Sequence, residues 1–110
     1  MTYDEELVER VRELISARAE VSEKKMFGSL CFLIGGKLAV CVRKEELLVR
    51  IDPDEVDQAL AEDGVRIAPM AGRRMKGWVL VAPERFQTPE DLTGWVDTGA
   101  DYAASLPAKS

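Results

Sequence analysis

Residues 24–42, KKMFGSLCFLIGGKLAVCV, constrain this chain more than any other stretch. Two apolar runs flank Gly35 and Gly36, with almost no polar residue inside either. A diglycine readily takes the two positive φ angles of a two-residue hairpin turn. The segment therefore predicts antiparallel strands at about 25–34 and 37–43. A sheet with one solvated face alternates apolar and polar residues. Here one set of side chains is Phe27, Ser29, Cys31, Leu33, Leu38, Val40 and Val42, and the other is Met26, Leu30, Phe32, Ile34, Ala39 and Cys41. Both faces are expected to be covered. If the helices cover only one, a second copy of the chain is the simplest cover for the other, so a homodimer is expected.

The turn also sets a register. It places Ile34 opposite Lys37, Leu33 opposite Leu38, Cys31 opposite Val40 and Leu30 opposite Cys41. Cys31 and Cys41 then point to opposite faces and cannot bond each other. Their expected role is that of small buried hydrophobes. The chain contains no histidine and no third cysteine, so a structural zinc site is not expected.

Beyond the hairpin, local signals mark the other elements. Thr2 or Asp4 can cap a first helix, and Leu7, Val8, Val11, Leu14 and Ile15 repeat at helical spacing before it fades near residues 18–20. LLVRI at 47–51 is a third apolar strand. Asp52-Pro53-Asp54-Glu55 opens a short second helix with a capping acid and an early proline. Residues 65–69 and 75–82 are strands separated by a turn at 71–74. Thr88-Pro89-Glu90-Asp91 opens a third helix, which carries Leu92, Trp95, Val96, Gly99, Tyr102, Ala103 and Leu106 on one face. The predicted order is α-β-β-β-α-β-β-α. Short connections force antiparallel pairing, so the class is α+β: a mostly antiparallel five-stranded sheet with three helices. At 110 residues and 12.2 kDa, one domain is expected over residues 1–110, with its core at about 5–107.

Charge follows these elements. The net charge is −5, and the predicted helices hold most of the acids while the strands and turns hold most of the bases. Residues 52–65 carry six acids and no base, and residues 66–78 four bases and no acid. An acidic chain of this kind is not expected to bind duplex DNA through a broad surface. Its basic patches can still meet an anion or an acidic partner. The candidate contact residues are Lys24, Lys25, Arg43, Arg73, Arg74, Lys76 and Trp78. Arginine offers bidentate contacts, and an indole offers a stacking face. A small-anion or nucleotide site using the basic turn at 73–78 is the alternative function.

Catalytic chemistry finds little support. Without histidine there is no Ser-His-Asp triad or Cys-His pair. Gly35-Gly36-Lys37-Leu38 lacks the Gly-Lys-Ser/Thr ending of a phosphate loop, and the acids at 52–57 lack the pattern of a calcium loop. Neither metal nor cofactor is expected. No run of about 18 apolar residues is present, and the N-terminus MTYDEELVER is acidic, unlike a secretory signal. A cytoplasmic location is expected.

Four segments also carry a family resemblance: KKMFGSLCFLIGGKLAVCV, LLVRIDPDE, GRRMKGWVLV and LTGWVDTGADYAASLP. Met-Phe-Gly near the first strand, Gly-Arg-Arg-Met-Lys-Gly-Trp and the Trp-Val of the last helix occur in order over about residues 5–107. Together they resemble the N-terminal domain of the TfoX/Sxy family, which includes regulators of bacterial DNA-uptake competence. The resemblance implies an antiparallel α+β domain, cytoplasmic in a bacterium, with no catalytic residues to carry over and a regulatory role. It implies a non-enzymatic regulatory or protein-interaction domain, whose partner is an unidentified protein. Longer members add a C-terminal domain suited to nucleic-acid contact, and direct nucleic-acid binding by the present domain is not expected.

Overall fold

A computed structural model describes residues 3–26, 28–70 and 73–106, with residues 26, 68–70 and 73–76 described by their backbone alone. Among the described residues, three α-helices and six strands follow one another as α1 (Glu5–Ile15), β1 (Val21–Met26), β2 (Ser29–Ile34), β3 (Lys37–Arg43), β4 (Glu46–Arg50), α2 (Val56–Leu60), β5 (Val65–Met70), β6 (Arg73–Val81) and α3 (Pro89–Ser105). Short 3₁₀ turns at Pro53–Glu55 and Pro83–Arg85 precede α2 and α3. The strands form one antiparallel sheet in the order β1-β2-β3-β4-β6-β5.

The α+β class holds, and the sheet has six strands where five were expected. The additional strand is β1. Its sequence, VSEKKM, is largely polar and exposed, so it carries no apolar signal. It lies at the sheet edge, where lysines discourage pairing with another chain. The first expected strand, 25–34, is thus two, with β1 ending at Met26 and β2 beginning at Ser29; Phe27 lies outside the described residues.

Helix boundaries follow their caps. The Asp4 carboxylate accepts from the backbone N–H of Glu6 and Leu7, and the Thr88 hydroxyl accepts from that of Asp91. The α1 stripe of Leu7, Val8, Val11 and Ile15 is buried, as are Leu92, Val96, Gly99, Ala100 and Ala103 of α3. These residues pack on two rows that cross the sheet. One row is Leu30, Val42, Leu47, Val81 and Val65. The other is Phe32, Val40, Val49 and Val79. Half-buried Val56, Ala59 and Leu60 of α2 join the same core. Two polar ties pin α3: Arg18 donates to Asp97 (3.1 Å) and Asp101 (2.6 Å), and Lys37 Nζ donates to the Leu106 carbonyl at 2.6 Å.

The hairpin departs from its expected register. Gly35 and Gly36 do make the turn, at φ 57° and 81°, and Ile34 faces Lys37 and Leu33 faces Leu38. The register then shifts, with Phe32 opposite Val40 and Leu30 opposite Val42. Ala39 is the extra residue of a β-bulge, which exchanges the two sets of side chains on β3. Cys31 therefore stands directly opposite Cys41, on the same face, and not on the face away from it.

Both faces of the hairpin are covered, as expected, but the helices cover only one of them. The helix-covered core takes one face. On the other lies a second apolar cluster of Cys31, Cys41, Leu48, Trp78 and Leu80, with half-buried Leu38, and it draws on no helix. These five residues are nonetheless buried within the single chain, at 1–6% exposure.

Candidate functional site

The helix-free face is built by the residues that alternate with the main core. A single rung runs across it: Lys24, Cys31, Cys41, Leu48, Leu80 and Arg66. Arg43 faces Glu46 on a neighbouring rung, and Arg66 donates to Glu46 at 2.6 Å. Apolar residues thus hold the middle of this face, and its rim carries Lys24, Arg43 and Arg66 together with the acid Glu46. The helical layer opposite carries exposed acids, among them Glu5, Glu6 and Glu13 on α1 and Glu90, Asp91 and Asp101 on α3.

The register divides the candidate basic residues. Lys24, Lys25 and Arg43 lie at one end of the sheet, because Lys25 faces Leu30, which faces Val42. Lys24 and Lys25 are exposed and Arg43 is half-buried. Successive residues of a strand point to opposite faces, so only Lys24 shares the helix-free face with Arg43. The backbone of Arg73 and Arg74 pairs with Met70 and Pro69, beyond the Arg50–Trp78 rung at the opposite end. The side chains of Arg73, Arg74 and Lys76 lie outside the described residues. The backbone does not build one basic pocket from both groups.

Trp78 is only 6% exposed, which withdraws its ring from a ligand. The Arg50 guanidinium lies 5.9 Å from the Trp78 ring centroid and 5.7 Å from that of Tyr102. The indole therefore serves a cation–π sandwich that joins β4, β6 and α3. Arg50 was missed as a structural residue because only the fold brings Tyr102 beside it.

A cleft of about 520 Å³ opens between α2 and the first turns of α3. Glu55, Glu62, Glu90, Asp91 and Trp95 line it, and Arg85 spans it to donate to Glu62 at 2.6 Å. Glu55, Glu90 and Asp91 stand at helix starts, where the helix dipole favours acids. Glu62 follows the C-terminal end of α2 and is paired with Arg85, so the cluster does not by itself constitute a site.

The two thiols complete the inventory of reactive groups. Both are free and buried. Hydrogen bonding to Cys31, with burial added, pushes the Cys41 thiol well above the ordinary range, and the same interaction draws Cys31 down. No helix among the described residues is long and apolar enough to cross a membrane.

Among known proteins, the family model of the TfoX N-terminal domain matches residues 13–103. Neither a curated protein nor a solved structure matches the chain.

Proposed function

The chain belongs to the TfoX N-terminal domain family, and from that premise we propose that it is a non-enzymatic regulatory domain that works through protein contact in the cytoplasm of a bacterium. The observation that carries this reading is that Lys24 and Arg43, two strands apart, share the helix-free face, opposite a helical layer that carries exposed acids. A surface polarised in this way orients an approaching acidic partner and rejects a basic one. The absence of histidine and the burial of both thiols support the non-enzymatic half of the reading.

The test is a charge reversal. A Lys24→Glu/Arg43→Glu chain is compared with the unaltered chain in affinity capture from its native lysate, and a deletion strain is profiled for transcription. Loss of a reproducible partner on charge reversal, together with altered transcription on deletion, supports the reading. No partner and no transcriptional effect reject it. A homodimer is a second, separate form of protein contact, because a basic face docking on the acidic helical layer of another copy is head-to-tail and does not close as a dimer. Sedimentation showing only a 12.2 kDa species at micromolar concentration rejects that form.

The small-anion or nucleotide reading loses its main supports. Trp78 is occupied by Arg50, and the backbone of residues 73–76 lies at the other end of the sheet from Lys24 and Lys25. Thermal shift against phosphates and nucleotides decides it, because a real site raises stability by mass action.

A further inference from the structure

We propose that Cys31 and Cys41 form a reversible dithiol–disulfide pair that closes within one folded chain. The bulge at Ala39 brings the two residues directly opposite each other on neighbouring strands. Opposed residues of an antiparallel ladder have Cα atoms about 4.5–5.5 Å apart. That spacing falls within the range a disulfide spans, about 4.4–6.8 Å. Both side chains project from the same face, so closure requires no reversal of either strand. Without the bulge the two would face away from each other and the bond would be impossible.

The surroundings favour the pair over other fates of the thiols. Each cysteine is the other's polar neighbour, and the cluster around them is Leu48, Trp78 and Leu80. The sulfurs are 1–3% exposed as residues, so a bulky reagent reaches them only through local opening of the sheet. That slows the first step and leaves the equilibrium unchanged. Cys31 stands on β2 next to the edge strand and Cys41 on β3 between inner strands, so Cys31 is reached first when the sheet opens locally and is the first nucleophile.

The oxidant is a low-molecular-weight disulfide. The Cys31 sulfur attacks its S–S bond, releasing one small thiol that carries away the Cys31 proton, and a mixed disulfide forms. The Cys41 sulfur then attacks the Cys31 sulfur of that mixed disulfide. The second small thiol leaves with the Cys41 proton. Two protein thiols are oxidised and one small disulfide is reduced to two thiols.

Equilibration of the unaltered chain with glutathione and glutathione disulfide tests this, in native buffer and again in about 8 M urea. Trapping by acid, alkylation and intact mass then distinguish the dithiol, the mixed disulfide and the intramolecular disulfide. The expected result is an equilibrium constant for the intramolecular bond at least about tenfold higher in the native chain than in urea, because a bond that fits the fold is favoured by folding. Dithiothreitol restores both thiols. Cys31→Ser and Cys41→Ser chains are each expected to stop at a single bound glutathione. A native constant equal to or below the urea value overturns the proposal. So does a native product that is only the mixed disulfide or a chain-to-chain dimer. These outcomes are independent of the contact surface at Lys24 and Arg43.

Discussion

Gly99 of α3 lies so close to Ala39 of β3 that a Cβ built on the glycine would stand 2.5 Å from the Ala39 carbonyl oxygen. Ala39 is also the bulge residue that places Cys31 opposite Cys41. The helix thus rests on the point where the hairpin changes register. Gly99→Ala is expected to force α3 away from the sheet and to destabilise the fold by about 1–3 kcal/mol, measured by urea unfolding. Gly94 is the control: a Cβ there meets nothing within 4 Å, so Gly94→Ala is expected to leave stability unchanged or to raise it.

Leu48 is 4% exposed on the helix-free face. Because this burial lies within one chain, Leu48→Ala is expected to cost about 2–4 kcal/mol at any protein concentration. Unfolding midpoints that vary with concentration in the unaltered chain, but not in the variant, would show instead that a second copy supplies the cover.

Arg12 donates to both carboxylate oxygens of Glu23, at 2.7 and 2.8 Å. The hydrogen bond and charge of Arg12 hold the Glu23 carboxyl below its ordinary range. A depressed carboxylate contributes stability above its unfolded pKa, about 4.3, and loses it as pH falls through the lower folded value. The stability gap between the unaltered chain and Glu23→Gln is therefore expected to narrow between about pH 6 and pH 3. A gap that is constant across that window contradicts the assignment.

Arg18 ties the segment after α1 to Asp97 and Asp101 of α3. All three side chains are partly exposed, at 27%, 49% and 70%, so solvent screens the pair. Arg18→Ala is expected to cost less than about 1 kcal/mol. The cost is expected to shrink in about 1 M salt, measured by the shift in the urea midpoint.

Arg50 lies between the rings of Trp78 and Tyr102. Arg50→Met keeps an unbranched apolar stem and removes the cation. It is expected to cost about 1 kcal/mol and to change the tryptophan fluorescence. If the two act together, Arg50→Met costs less stability in a Trp78→Leu background than in the unaltered chain.

Local chemistry made most of the fold legible. Asp4 and Thr88 cap helices through their own side chains, and Gly35 and Gly36 turn the hairpin through their own φ angles. The polar edge strand β1 escaped notice because hydrophobic periodicity is silent where neither face is buried. The candidate basic cluster was legible as residue types but not as a place. Lys24 and Arg73 are grouped by charge in the sequence, yet opposite ends of antiparallel strands separate their backbones.

By itself, the sequence determined the α+β class, the helix starts, the hairpin turn and the family, because each depends on interactions among residues a few positions apart. Only the tertiary structure decided the register beyond Ala39, and with it the meeting of Cys31 and Cys41 and the content of each face. A strand pattern has a period of two, so one extra residue reverses every assignment after it. Nothing local to β3 announces that residue. Ala39 is buried where α3 crosses at Gly99, a contact between distant parts of the chain.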